Sequence, residues 1–113
     1  MLLFALLIFT LVAIMGLFLA CDHFRGLPSD RSFAVVHAIL SLIGSALVIF
    51  AALEGDVRVY INIGLAVIII GLGVLLSVTK KKTGTAPKGI LIAHASLAVV
   101  CYLILGYFVV VPN

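Results

Sequence analysis

Two histidines stand at corresponding places in two apolar stretches of this 113-residue chain. His37 lies within residues 33–41 and His94 within residues 90–98, and neither stretch contains a charged residue. An imidazole in an apolar stretch either ligates a metal through a ring nitrogen or hydrogen-bonds a group on a neighbouring segment. Which of these the pair can do depends on the elements that carry the two rings.

Charged residues are confined to three short clusters that separate four apolar runs. Hydrophobic residues make up 65% of the chain, which has only seven Lys or Arg and four Asp or Glu. Residues 1–21, 32–53, 59–79 and 89–113 contain none of these charges. Because about 20 apolar residues cross a bilayer as a helix, the pattern predicts transmembrane helices over about residues 2–20, 32–53, 57–78 and 89–111. A soluble enzyme, a nucleic-acid-binding protein and a disordered tail are excluded.

The three connections between these helices are short. Residues 26–30 combine Gly and Pro with Ser and Asp, residues 54–56 form a very tight turn, and residues 83–87 end with a Pro at a helix start. Short connections make neighbouring helices antiparallel. The predicted fold class is therefore all-α, with residues 1–113 forming one integral membrane up-down-up-down four-helix bundle.

The basic residues predict the orientation in the membrane. Six of the seven lie in or beside the first and third connections, at Arg25, Arg31, Lys80, Lys81, Lys82 and Lys88. Connections rich in Lys and Arg stay in the cytoplasm. We therefore expect a multi-pass protein of a bacterial inner membrane with both termini outside the cytoplasm. The first run has no Lys or Arg before its apolar part, so it is interpreted as a membrane helix rather than a cleaved signal peptide.

The lysine run has two interpretations of its own. Lys80, Lys81 and Lys82 fix the topology by contacting anionic lipid headgroups, or they dock an acidic redox partner. In either case the net charge of +3 reflects the membrane orientation. It does not indicate a nucleic-acid surface.

A single shift along the chain, the one that places His37 on His94, aligns the second half with the first half without gaps. The other scarce residue types that coincide are Gly16 with Gly73, Arg25 with Lys82, and Arg31 with Lys88. The alignment predicts two tandem hairpin repeats related by a pseudo-two-fold axis along the membrane normal. Chance similarity between two apolar hairpins is the alternative.

The repeat places the two histidines in comparable surroundings. Each lies roughly 7–9 Å inside its helix, and helices 2 and 4 are diagonal partners in a four-helix bundle. The residues predicted around the rings are small: Ser41 and Gly44 on helix 2, Ala98 on helix 4, and Gly16 and Gly73 on the flanking helices.

This arrangement predicts a slot for one haem b per bundle, with His37 and His94 as the metal ligands. Arg31 and Lys88, each six residues before its histidine, are the predicted partners of the propionates, together with Arg25 and Lys82. A diagonal of about 12–14 Å between the helix axes is tight for such a site. We therefore expect the bundle to be splayed at this end.

At these positions the chain resembles the small four-helix transmembrane b-type cytochromes of the cytochrome b561-like group. The resemblance covers helices 2 and 4 through their histidines and, more loosely, the glycines. It implies haem-dependent electron transfer or oxidoreductase activity, with membrane quinone or another redox protein as partner. Members of the group usually hold two haems with four membrane histidines. This chain offers one such pair and hence one haem, so a monomer lacks a full relay across the membrane.

Other functions fit parts of the pattern. A non-catalytic assembly or anchor subunit would use the histidines as interhelical polar contacts. A small multidrug-resistance-type exporter has the right length and helix count, but it needs a carboxylate within the membrane and every Asp and Glu is predicted in a connection. Bare zinc or copper would lack further ligands at this depth.

The remaining residues of interest have plainer interpretations. Gly64 and Gly71 lie on one face of helix 3, which predicts a homodimer through this helix unless they are simply the frequent glycines of membrane helices. His23 is interpreted as a solvated residue of the first connection, with a role near the propionates as the alternative. Cys21 and Cys101 lie at different depths and are expected to remain free thiols.

Overall fold

The computed structural model describes residues 1–112 and is a bundle of four α-helices 44 Å long. The helices are α1 (Leu2–Phe24), α2 (Arg31–Leu53), α3 (Tyr60–Thr83) and α4 (Lys88–Val110), with a 3-10 turn (Val57–Val59) before α3. All four are long and apolar enough to cross a membrane. The prediction of an all-α chain with four such helices is therefore confirmed.

The helices α1 and α3 continue beyond their predicted ends at Ala20 and Val78. The prediction ended them where charged residues begin, but charge does not stop a helix. Glycine does so at the end of α3: Gly84 takes the left-handed conformation with φ 85°, and its N–H donates to the Lys80 carbonyl at 2.8 Å. In α1, the longer helix places Asp22 and His23 in its last turn rather than in a connection.

The two ends of the bundle differ in charge. We call the end with Arg25, Arg31, Lys80, Lys81, Lys82 and Lys88 the basic end, and the opposite end, with the turn at residues 54–56, the far end. At the basic end Asp30 caps α2, because its carboxylate accepts a hydrogen bond from the Ser32 N–H at 2.9 Å.

Each helix packs against two others. The hairpin partners α1 and α2 make extensive contact, as do α3 and α4, and α1 also packs along α4. The fourth interface, between α2 and α3, is the least extensive. Within residues 1–112, neither α2 and α4 nor α1 and α3 are in contact, so α2 and α4 are diagonal partners as predicted.

The packed core lies towards the far end. Its buried members are Ala5, Val48, Ala51, Ala52, Val59 and Leu105. From the level of His37 to the basic end, Met15 is the one buried residue in the part of the chain that the structure describes. The basic half of the bundle is therefore packed more loosely than the far half, and it is the half that contains both histidines.

Candidate functional site

His37 and His94 occupy the same place in their respective helices. Each lies six residues after the first residue of its helix. The face of α2 that carries His37 continues through Gly44 and Val48, which are buried, and the face of α4 that carries His94 reaches Leu105, which is 1% exposed. Both imidazoles therefore lie at a similar depth on the inward faces of diagonal helices.

A glycine on the preceding helix of the same hairpin faces each ring. A Cβ atom added to Gly16 would lie 3.0 Å from Cε1 of His37, and one added to Gly73 would lie 3.2 Å from Cε1 of His94. Both distances are shorter than an ordinary van der Waals contact between carbon atoms. Because the glycines have no side chain, the edge of each imidazole packs directly against the backbone of the neighbouring helix. The shift that aligns the two halves of the chain also places Gly16 and His37 on Gly73 and His94.

A backbone carbonyl fixes the orientation of the His94 ring. Its Nδ1 lies 2.8 Å from the carbonyl oxygen of Ile69, one helical turn before Gly73. A carbonyl oxygen only accepts hydrogen bonds, so Nδ1 carries the proton and the neutral ring keeps a lone pair on Nε2. Histidines that ligate metals are commonly held in this way, with one nitrogen bound to a carbonyl and the other free for the metal.

His37 has the corresponding surroundings without the completed hydrogen bond. Val12, one turn before Gly16, is the counterpart of Ile69 in the first hairpin. Its Nδ1 is buried and has no hydrogen-bond partner among the described residues. The two imidazoles therefore have similar surroundings, and the His94 ring is the one that a hydrogen bond holds in place.

The small residues predicted next to the rings have different surroundings. The Ser41 hydroxyl donates to the His37 carbonyl of its own helix at 2.7 Å. Gly44 is buried against the ring of Phe9, whose Cζ lies 2.9 Å from where a Cβ would be, so the space beneath His37 is filled by an aromatic side chain. Ala98 is half-buried one turn from His94.

The charged residues predicted for the propionates lie at the basic end. Arg31 and Lys88 are the first residues of α2 and α4, and both are exposed. Arg25 and Lys82 are exposed at the ends of α1 and α3. Within residues 1–112 no group of three or more His, Cys, Asp or Glu could hold a metal ion. The two histidines thus stand as a pair without a third protein ligand.

The far half of the bundle contains a polar contact that the sequence did not predict. Asn62 is 2% exposed, and its Nδ2 donates to the Cys101 carbonyl at 3.0 Å, which ties α3 to α4. The hydroxyls of Thr10 and Tyr102 lie 2.7 Å apart and link α1 to α4. One signal was present in the sequence: Asn62 is the only amide side chain inside the four helices, and amides in apolar helices commonly bond across to a neighbour.

The glycines of the predicted dimer face make no contact within the chain. A Cβ added to Gly64 or Gly71 would meet nothing within 4 Å, and both residues are open to the outside of α3. The homodimer therefore stays a prediction. Cys21 and Cys101 are both free thiols.

Comparisons of the chain with protein-family models, with curated proteins and with solved structures found no match.

Proposed function

We propose that this protein is an integral membrane cytochrome of the b type, in which His37 and His94 ligate one haem b between α2 and α4. One observation carries the proposal: two inward-facing imidazoles lie at matching depth on diagonal helices, in the loosely packed half of the bundle. Haem iron accepts two histidines as axial ligands, and the cores of helical bundles are common cofactor sites.

The donor set supports haem rather than a bare metal ion. The hydrogen bond from Nδ1 of His94 to the Ile69 carbonyl leaves Nε2 as the ligating nitrogen. The unpartnered Nδ1 of His37 leaves that ring free to adjust its angle. A bare zinc ion would require further protein ligands that the pair does not provide. A porphyrin supplies the remaining four nitrogens itself.

The haem supplies one-electron chemistry, and the protein supplies position and environment. His37 and His94 would ligate the iron. Gly16 and Gly73 would determine the position of each ring relative to the bundle axis, because each ring packs against its glycine. The apolar helices would exclude water from the site, and some of the cationic residues at the basic end would neutralise the propionates. Membrane quinone or another redox protein would exchange the electron.

The membrane assignment forms part of the same proposal. The four apolar helices form two tandem hairpins in an up-down-up-down arrangement, with the basic end in the cytoplasm and both termini outside, in a bacterial inner membrane. The repeated pairing of a glycine with a histidine, Gly16 with His37 and Gly73 with His94, supports the relation between the hairpins.

A non-catalytic assembly or anchor subunit is the second candidate, and one observation favours it. The hydrogen bond from His94 to Ile69 and the packing of both rings on glycines already join the helices of each hairpin without any ligand. The multidrug exporter has no comparable support. Asp22, Asp30, Glu54 and Asp56 lie in the last turn of α1, at the helix caps and in the α2–α3 turn, away from the middle of any helix.

The absorption spectrum distinguishes the two candidates. Protein purified from haem-replete cells should be red, with the Soret band of six-coordinate haem. His37→Ala and His94→Ala should each shift and weaken this band, because the iron loses one axial ligand and the haem is held less tightly. Ser96→Ala is the matched control, since Ser96 is an exposed residue two positions after His94. It should keep the band.

Two results would contradict the cytochrome proposal. One is colourless protein that is monodisperse and fully helical. The other is a Soret band that neither histidine substitution shifts or weakens. Colourless protein that co-purifies with a defined membrane complex, and is released from it by His94→Ala, would establish the assembly subunit instead.

A further inference from the structure

One stripe of α1 faces the interior over its whole length. Ala5 is fully buried, Val12 is 9% exposed, and Gly16 contacts His37. Residues seven apart on a helix differ by only about 20° in direction. His23, seven residues after Gly16, therefore continues this inward stripe at the basic end.

The same stripe is present on α3. Asn62 is 2% exposed, Ile69 accepts the hydrogen bond from His94, and Gly73 contacts the His94 ring. Lys80 lies seven residues after Gly73 and thus continues the stripe to the basic end, where its side chain is exposed. The shift that places His37 on His94 also places His23 on Lys80, so the two are equivalent positions of the hairpins.

Neither side chain has a polar partner within the chain. Nε2 of His23 is buried and makes no hydrogen bond to any described residue. Arg58 with Asp56 is the one salt bridge of residues 1–112, so Lys80 is not engaged in one. Of the nearby carboxylates, Asp30 caps α2, and Asp22 and Asp30 both line a cavity with Phe18 and Phe33.

We propose that His23 and Lys80 bind the two propionate carboxylates of the haem, an assignment that rests on the proposed function. Both lie about 10 Å from the level of the histidine pair, towards the basic end. Arg31 and Lys88 are less suitable. Six residues before its histidine, each is turned about 120° around the helix, away from the inward face.

The test compares haem b with haem dimethyl ester, in which both carboxylates are esterified. Each is titrated by its Soret band into haem-free protein, for the wild type, His23→Ala, Lys80→Gln and Lys81→Gln. Lys81→Gln removes the same charge one residue away, on a side turned about 100° from the stripe. We expect His23→Ala and Lys80→Gln each to weaken haem b roughly tenfold or more, since each loses a hydrogen bond to a charged group.

Comparison with the ester separates the contribution of the propionate carboxylates from the other contributions to haem affinity. The affinity for the ester should be unchanged in all variants, and Lys81→Gln should alter neither ligand by more than about twofold. Equal weakening of haem b and the ester would overturn the assignment, because it would indicate a structural role or a contact with lipid phosphate. If the wild type binds both ligands and the variants bind haem b as tightly as the wild type does, the assignment of His23 and Lys80 is overturned but the proposed function is not. Wild-type protein that binds neither would overturn the cytochrome proposal as well.

Discussion

Gly16 and Gly73 leave gaps in the side-chain layers of α1 and α3, and each gap is occupied by the edge of an imidazole. The distances from the missing Cβ positions to Cε1, 3.0 Å and 3.2 Å, leave little room for a methyl group. The glycines therefore set where the histidines sit relative to the bundle axis.

Alanine at either glycine should displace the adjacent ring. We expect Gly16→Ala and Gly73→Ala each to lower the free energy of unfolding by about 1–3 kcal/mol, because overpacking forces side chains and backbone to shift. Both should also weaken the Soret band. Thermal unfolding in a mild detergent, followed by circular dichroism, measures the first effect.

The matched control lies two residues from Gly73 on the same helix. Gly71 faces open space, so Gly71→Ala should keep the spectrum and raise the stability by up to about 1 kcal/mol through helix propensity. A Gly73→Ala protein as stable as Gly71→Ala would show that the contact between Gly73 and His94 does not constrain the ring.

The depth of the histidines was accessible from the sequence, whereas their contacts were not. Counting residues from the ends of the apolar runs placed His37 and His94 at equal depth, because the rise per residue of a helix is fixed. The filling of the space at Gly44 by Phe9, and the bond from His94 to Ile69, depend on how far neighbouring helices slide and rotate against each other. Periodicity within one helix contains no such information.

Among the elements, the helices were predicted better than their ends. Charge-free runs predicted all four helices because the cost of charge in a bilayer dominates such sequences. The same criterion ended α1 and α3 too early, since charged residues continue a helix once it has left the apolar layer. It also included Val57–Val59 in the third helix, where the structure has a 3-10 turn.

This turn carries the contact that joins α3 to the end of α4. Arg58 pairs with the Asp56 carboxylate at 3.1 Å, donates to the carbonyls of Phe108 and Val111, and lies 4.8 Å from the centre of the Phe108 ring. A cation at the C-terminal end of a helix also interacts favourably with its dipole. Asp56 holds the guanidinium in position for these contacts.

Acid should weaken this contact. The hydrogen bond from the Arg58 side chain holds the pKa of Asp56 below its usual value. A carboxyl group whose pKa is lowered by folding stabilises the protein above its unfolded pKa, near 4, and that stabilisation is lost as the pH falls through the lower folded value. We therefore expect the melting temperature to fall below about pH 4 in detergent.

Two variants identify the source of this pH dependence. Asp56→Asn and Arg58→Ala should each reduce the fall in melting temperature below about pH 4, and each should be less stable than the wild type at neutral pH by about 1 kcal/mol. If Asp56→Asn retains the whole acid transition, other carboxyl groups are responsible for it.

For the whole molecule, the distribution of charge is the dominant feature. Six basic residues lie at one end, and the far end has Glu54, Asp56 and Arg58. We expect alkaline phosphatase fused to either terminus to be active in a bacterial host, and the same enzyme inserted at residues 83–87 to be inactive. Cytoplasmic connections are the ones rich in Lys and Arg.

Green fluorescent protein at the same three sites provides the complementary measurement, because it does not fluoresce when exported unfolded. Fluorescence at either terminus would contradict the orientation. Activity of both reporters at one site would indicate that the chain inserts in both directions.

The concentration of buried residues around Val48 and Leu105 has a bearing on how the protein is assembled. Far from the histidines, the helices already pack against one another, so this half of the bundle does not depend on the region around His37 and His94. Under the proposed function, haem would enter the loosely packed basic half without separation of the packed far half. The haem-free protein would then persist as a stable folded precursor.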